Sequence, residues 1–190
     1  QMCIRDREEA CLLLLAWRVG LPGLAFVSPQ ELQGALPLPK STPGTAASAG
    51  LVPLLEPETA AGEVEPAPLA FGPLSEELRL PRSPASIMAR LLHARAVSGV
   101  ARGRLLRVVS GPAGTLATVT RLPDGSCWVL AANFGSDSAT FRIPLPVSGA
   151  AQDIVEQTSL AVRGGLTVTL NGRSARHYLV GAAASPKEPS

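Results

Sequence analysis

The side chains with chemical reach in this chain are its carboxylates, two histidines, three cysteines and a set of hydroxyls. Two carboxyl groups fixed about 5–5.5 Å apart can work across one scissile bond as nucleophile and acid/base. Glu56, Glu58, Glu63 and Glu65 sit in a proline-rich stretch, and Glu76 and Glu77 precede a helix, so they read as solvated loop charges rather than a rigid pair. Glu31 is placed differently. It follows a short apolar run, at the end of a strand where barrel scaffolds build their sites, so it is a candidate pocket carboxylate; the competing reading is a loop carboxylate of no special role.

Nucleophilic chemistry has less to work with. Ser126 and Cys127 carry no local signature linking them to His93 or His177, and those two histidines fit structural roles, His93 partly buried on a helix and His177 beside Tyr178 on the last strand. Neither histidine stands at metal-ligand spacing from a Cys, Asp or Glu cluster. The glycine-rich pieces at residues 110–114 and 163–165 lack both the spacing of a phosphate loop and a following helix, and read as hairpin turns. The expected catalytic, cofactor-binding and metal-ligating sets are therefore all none.

The elements that would have to position any such chemistry fall into two kinds. Residues 8–19 are helix formers with Glu8 and Glu9 at the start and Gly20 as a stop, and predict a buried helix. After the turn at Leu21, Pro22 and Gly23, residues 24–27 form a short apolar run of the kind that makes a strand covered on both faces. Helix, tight turn and buried strand make one step of an α/β barrel, assigned to residues 8–39. Residues 40–82 are a proline-rich loop that buries too little to offset the entropy of ordering its backbone. Ser83 and Pro84 then cap a second helix, residues 83–99, with Ile87, Met88, Leu91, Leu92 and Ala94 on its apolar face, Arg90 and Arg95 outside it, and Ser98-Gly99 as the stop.

From residue 100 to 181 the period changes from helical to alternating. Strands are predicted at 104–109, 115–121, 126–134, 140–143, 152–155, 166–170 and 176–180. Asp124-Gly125 between two β-rich runs predicts a hairpin. The run 127–134 is apolar on both alternating faces, which predicts a central strand. The tail, 182–190, reads as disordered. The fold class is accordingly an α/β barrel fragment, its last helix–strand–helix units, followed by an all-β C-terminal sandwich domain.

Composition narrows the function classes. The formal net charge is only +2, with Lys and Arg scattered, so no basic stripe suited to nucleic acid is present. Three cysteines, Cys3, Cys11 and Cys127, leave an odd thiol under any pairing, which points to a reducing, cytoplasmic compartment. The apolar run 10–17 is broken by Arg18, Gly20, Pro22 and Gly23, far short of the roughly 20 residues a membrane span needs, and Glu8 and Glu9 argue against a secretory leader. Residues 1–7 share no periodicity with the helix-forming run after them and resemble a non-native leader, so the natural chain is expected to begin upstream.

The order of these pieces resembles the end of an α-amylase superfamily protein, over roughly residues 8–180. Leu21-Pro22-Gly23-Leu24-Ala25-Phe26-Val27-Ser28 with residues 30–39 looks like the last barrel strand and its loop. Residues 71–78 with the helix 87–95 and Ser98-Gly99-Val100-Ala101 resemble the closing barrel helix. Residues 119–125 and Val129-Leu130-Ala131-Ala132-Asn133-Phe134 resemble the C-terminal hairpin, and residues 165–170 with Ser174-Ala175-Arg176 the final strands. The nearest branch is trehalose synthase, a maltose α-D-glucosyltransferase. This resemblance implies an upstream barrel in the same polypeptide carrying the catalytic Asp, Glu and Asp, with maltose or an α-glucan as the parent's substrate and no cofactor. The proline-rich loop departs from the family, in which aromatic and charged residues are expected over the active site.

Two other functions compete. A carbohydrate-binding sandwich would need exposed rings, and the candidates are Trp128, Phe134, Phe141 and Tyr178, most of which alternation assigns to the core. A secreted sandwich behind a signal and linker would account for composition but not for the barrel-like start.

Overall fold

The computed structural model describes residues 2–33 and 73–181. The helices come first: α1 (Met2–Gly20), α2 (Pro29–Leu32), α3 (Leu74–Glu77) and α4 (Pro84–Ser98), with a 3₁₀ turn at Val100–Arg102. Eight strands come after them: β1 (Arg104–Ser110), β2 (Thr115–Arg121), β3 (Cys127–Asn133), β4 (Ala139–Pro144), β5 (Gly149–Asp153), β6 (Ser159–Val162), β7 (Gly165–Leu170) and β8 (Ser174–Gly181).

All strand pairs are antiparallel. Six strands make one sheet in the order β1-β2-β3-β8-β5-β6, and β4 pairs with β7 in a second. Alternation along β3 explains how one sheet serves two cores. Cys127, Val129 and Ala131 face the β4–β7 pair, where Phe141, Ile143, Leu166, Val168 and Leu170 meet them with Tyr178 and Val180. Trp128 and Leu130 point the other way and pack with Leu15, Ala16 and Val19 of α1 and with Met88 and Leu91 of α4. Every residue of β3 is buried, because it is covered on both faces and flanked by β2 and β8. The architecture is a β-sandwich with helices laid on the outer face of its larger sheet.

The cap of α4 works as its residues dictate. Ser83 Oγ accepts from the Ser86 N–H at 3.1 Å, Pro84 fills the first helical position, and Gly99, at φ 72°, closes the helix by donating its N–H to Arg95 O. Hairpin β2–β3 is joined through Asp124 and Gly125 with continuous register from Thr115↔Asn133 to Arg121↔Cys127.

Three expectations are corrected. The barrel strand at residues 24–27 is not formed: the segment has no regular structure, and Leu24 and Phe26 are 87% and 67% exposed. A strand is completed by a neighbour's backbone groups, and no described strand lies alongside; its entry is instead held by the Gly23 N–H donating to Ala101 O at 3.1 Å. Second, residues 2–7 are continuous with α1 rather than set apart from it, since Arg5, Asp6 and Arg7 are compatible with a helix and nothing in Met2–Gly20 breaks one. Third, β5 ends at Asp153 where a strand over 152–155 was expected, and β6 was not anticipated. Asp153 Oδ1 accepts from the backbone N–H groups of both Val155 and Glu156, an Asx turn that stops the strand. The proline-rich stretch up to residue 72 and the tail 182–190 lie outside the described residues.

Candidate functional site at the helix–sheet seam

Polar side chains buried at the junction of α1, α4 and the sheet are the most heavily constrained groups of the chain. Arg95 lies on the same face of α4 as Met88 and Leu91 and is 7% exposed. Its guanidinium donates to the carbonyls of Val19 at 2.6 Å, Leu21 at 2.5 Å and also Gly23. The Val19 carbonyl is one that the end of α1 leaves without an intrahelical donor, and those of Leu21 and Gly23 belong to the turn that follows, so a cation on α4 caps α1 and complements its dipole. Sequence pattern alone places Arg95 outside the apolar face; it is in that face because its partners on α1 need a donor there. Arg90, five residues earlier, bonds the carbonyls of Val155 at 2.9 Å and Pro81 at 2.5 Å, joining α4 to the turn after β5.

His177 sits across from this anchor. It is 1% exposed, edge-on to Trp128 with ring centroids 5.5 Å apart, and close to Gly20. Burial pushes its pKa down to about 3, the Ala16 backbone offsetting a little of that shift, while neither ring nitrogen makes a hydrogen bond of regular geometry. The imidazole is therefore neutral at physiological pH. A Cβ added at Gly20 would stand 2.6 Å from Leu130 Cδ2 and 2.7 Å from His177 Cε1, so only glycine lets the end of α1 lie this close to the sheet.

Glu31, the candidate pocket carboxylate, is held locally. It accepts two bonds from Arg18, at 2.9 and 2.8 Å, and a third from the Ser28 N–H at 2.8 Å, while its own N–H donates to Ser28 Oγ at 3.1 Å. Ser28 and Glu31 thus form a capping box at the start of α2, and the Arg18 guanidinium holds the carboxyl below its ordinary range. Among the described residues this carboxylate serves as a cap and an ion-pair partner.

The remaining candidates do not converge. Glu76 is exposed and Glu77 half-buried on α3, and Glu56, Glu58, Glu63 and Glu65 lie outside the described residues. His93 is exposed, not partly buried as expected, because it turns away from the Met88, Leu91 and Arg95 face to the rim of an open groove of about 740 Å³ between α4 and the sheet. Asp124, on the same rim, accepts from the N–H and hydroxyl of Ser126. Cys127 is fully buried and burial raises its thiol pKa, the opposite of what a nucleophile requires. Among the described residues no group of three His, Cys, Asp or Glu could hold a metal ion. The proposed ring platform fares similarly: Trp128, Phe141 and Tyr178 are core residues, and Phe134, 42% exposed, leans on Trp17 with centroids 5.6 Å apart. What this seam does chemically is join helices to a sandwich.

Neither family models nor curated protein sequences match the chain. Solved structures do. The trehalulose synthase MutB superimposes on 92% of this chain with a TM-score of 0.62 at 18% identity, covering 39% of its own length. AmyP, in a complex with maltose, superimposes on 95% with a TM-score of 0.63 at 15% identity, covering 36% of its own length. The chain has their fold. It spans less than two-fifths of either protein, and because β1 to β8 occupy less than half of this chain, the match extends through the helices as well as the sandwich.

Proposed function

We propose that the chain is the C-terminal portion of an α-amylase-superfamily enzyme of carbohydrate metabolism, and that it serves as the mount by which a β-sandwich is fixed to the end of a catalytic barrel. The observation that carries this reading is the common superposition of helices and sandwich on two sugar-handling proteins, one named as a trehalulose synthase and one seen with maltose. In this reading α1 and α4 are the last two barrel helices, and the exposed run with Leu24 and Phe26 is the final barrel strand, awaiting neighbours from an upstream part of the same polypeptide.

The parent reaction we assign is glucosyl transfer within maltose to give trehalose. The carboxylates that attack, protonate and stabilise belong to the upstream barrel, so the part played by this chain is to hold the end of that barrel closed. The compartment we assign is the cytoplasm, in keeping with free Cys11 and buried, free Cys127. Partners are the upstream barrel and, for the whole enzyme, maltose or an α-glucan; nucleic acid and membrane are not among them.

The test is enzymatic. The 190-residue chain incubated with maltose should release neither trehalose nor glucose, while the polypeptide extended upstream to include a barrel should form trehalose. Turnover of maltose by the chain alone, or an extended polypeptide that acts on no α-glucoside, would refute the assignment.

A further inference from the structure

One edge of the larger sheet carries a feature that a mount for a barrel does not use. Among the described residues β1 is an edge strand, paired there with β2 alone, and none of its residues is buried: Leu106 and Val109 are half-buried and the other five are exposed. Leu105 and Val108 are 43% and 55% exposed. No described strand pairs with its outer row of backbone N–H and C=O groups, the arrangement to which another strand can add.

The arginines of this hairpin are arranged by register. Arg104 lies directly opposite Arg121, and Arg107 opposite Val119. Three residues apart on a regular strand, Arg104 and Arg107 would point to opposite faces; the register shift between Leu105 and Arg107 puts both on the face of Arg121 and Val119, away from α1 and α4. Arg104, Arg107 and Arg121 are all exposed, and none forms an ion pair among the described residues. Between Val100 and Gly135 the chain has four arginines and one carboxylate, Asp124, which is engaged by Ser126. Like charges directly opposite one another destabilise a strand pair. Charge that served only to keep strands from adding here would not leave Leu105 and Val108 open on the other face.

We propose that β1 is a docking edge for an extended acidic segment of a partner protein, which adds to the sheet as a further strand. Its carboxylates, at alternate positions, pair with Arg104, Arg107 and Arg121, and its intervening apolar side chains lie beside Leu105 and Val108. This inference does not depend on the parent enzyme's activity.

The experiment uses the full 190-residue chain and a fluorescent peptide of about eight residues alternating glutamate and valine, long enough to span β1. Saturable binding that weakens with salt, with slowed hydrogen exchange at β1 amides, is expected. The triple substitution Arg104→Ser, Arg107→Ser and Arg121→Ser should weaken it about tenfold or more. Two controls need no variant. A peptide N-methylated at alternate residues keeps the charge but cannot complete the ladder, and one with lysine for glutamate keeps the ladder but not the charge; both should fail to bind. Equal binding of the N-methylated peptide would overturn strand addition, and equal binding of the lysine peptide, or indifference to the triple substitution in a variant with unchanged circular dichroism, would overturn the acidic specificity.

Discussion

His177 and Arg95 are two answers to one constraint, since a polar group taken out of water must lose its charge or find partners. His177 loses its charge. In the unfolded chain it titrates near its ordinary value of 6.5, and in the fold near 3, so between those limits the unfolded state binds more protons. Its contribution to stability is complete above pH 6.5 and is lost as pH falls toward 3, at up to about 1.4 kcal/mol per pH unit. Urea titrations from about pH 4 to 7 should show stability rising with pH, and His177→Leu should flatten that rise. An equal slope in the variant would assign the acid sensitivity to carboxylates instead. Arg95 keeps its charge by serving three carbonyls. Arg95→Met should cost about 2–4 kcal/mol, because the buried Val19 carbonyl would lose its donor and the part-buried Leu21 and Gly23 carbonyls would lose theirs. Arg95→Lys should recover part of that loss, a point charge serving fewer of them. Loss below about 1 kcal/mol for the methionine variant would mean that water reaches the end of α1.

At the scale of elements, the deciding interaction is the contact of α1 with β3 and β8 at Gly20. Alanine favours a helix over glycine by about 1 kcal/mol, so propensity alone predicts that Gly20→Ala stabilises. The overlaps with Leu130 and His177 predict the reverse, and overpacking of this kind costs about 1–3 kcal/mol. A thermal scan should therefore give a lower Tm for Gly20→Ala, and a rise would show that α1 can lift from the sheet at little cost. Legibility in the sequence divides the same way, between local and distant causes. The α4 cap, the Asp124-Gly125 hairpin and the burial of β3 are all set by residues within a few positions of one another, and each is legible. The role of Arg95 depends on carbonyls 72 to 76 residues away, and the run 24–27 becomes a strand only if a neighbour pairs with it; neither condition is written in the local pattern. β6 escapes notice for a different reason. With Ser159, Leu160 and Ala161 exposed, it shows no alternation to find, and it exists through its ladder with β5.

At the scale of the whole molecule, the two faces of the larger sheet have unequal fates. The inner face is closed by β4 and β7, whereas the outer face is covered by two helices that themselves leave apolar side chains in solvent: Leu14 on α1, Val97 on α4, and Leu24 and Phe26 between them. In water this exposure is a liability for the chain alone, and in the proposed enzyme it is the contact with the rest of the barrel. The two situations give opposite signs for one change. Leu24→Ser with Phe26→Ser should make the isolated chain more soluble and bind less of a hydrophobic dye, with little change in Tm, since both side chains are mostly exposed already. In the polypeptide extended upstream, the same pair should lower Tm by several degrees, because burying a large apolar side chain is worth about 1.5–3 kcal/mol and both would now be buried. Light scattering and thermal scans of the two lengths, with and without the substitutions, measure this directly. A Tm unchanged in both would separate the run from any barrel, and the helices would then be a complete cover for the sandwich rather than one side of a larger joint.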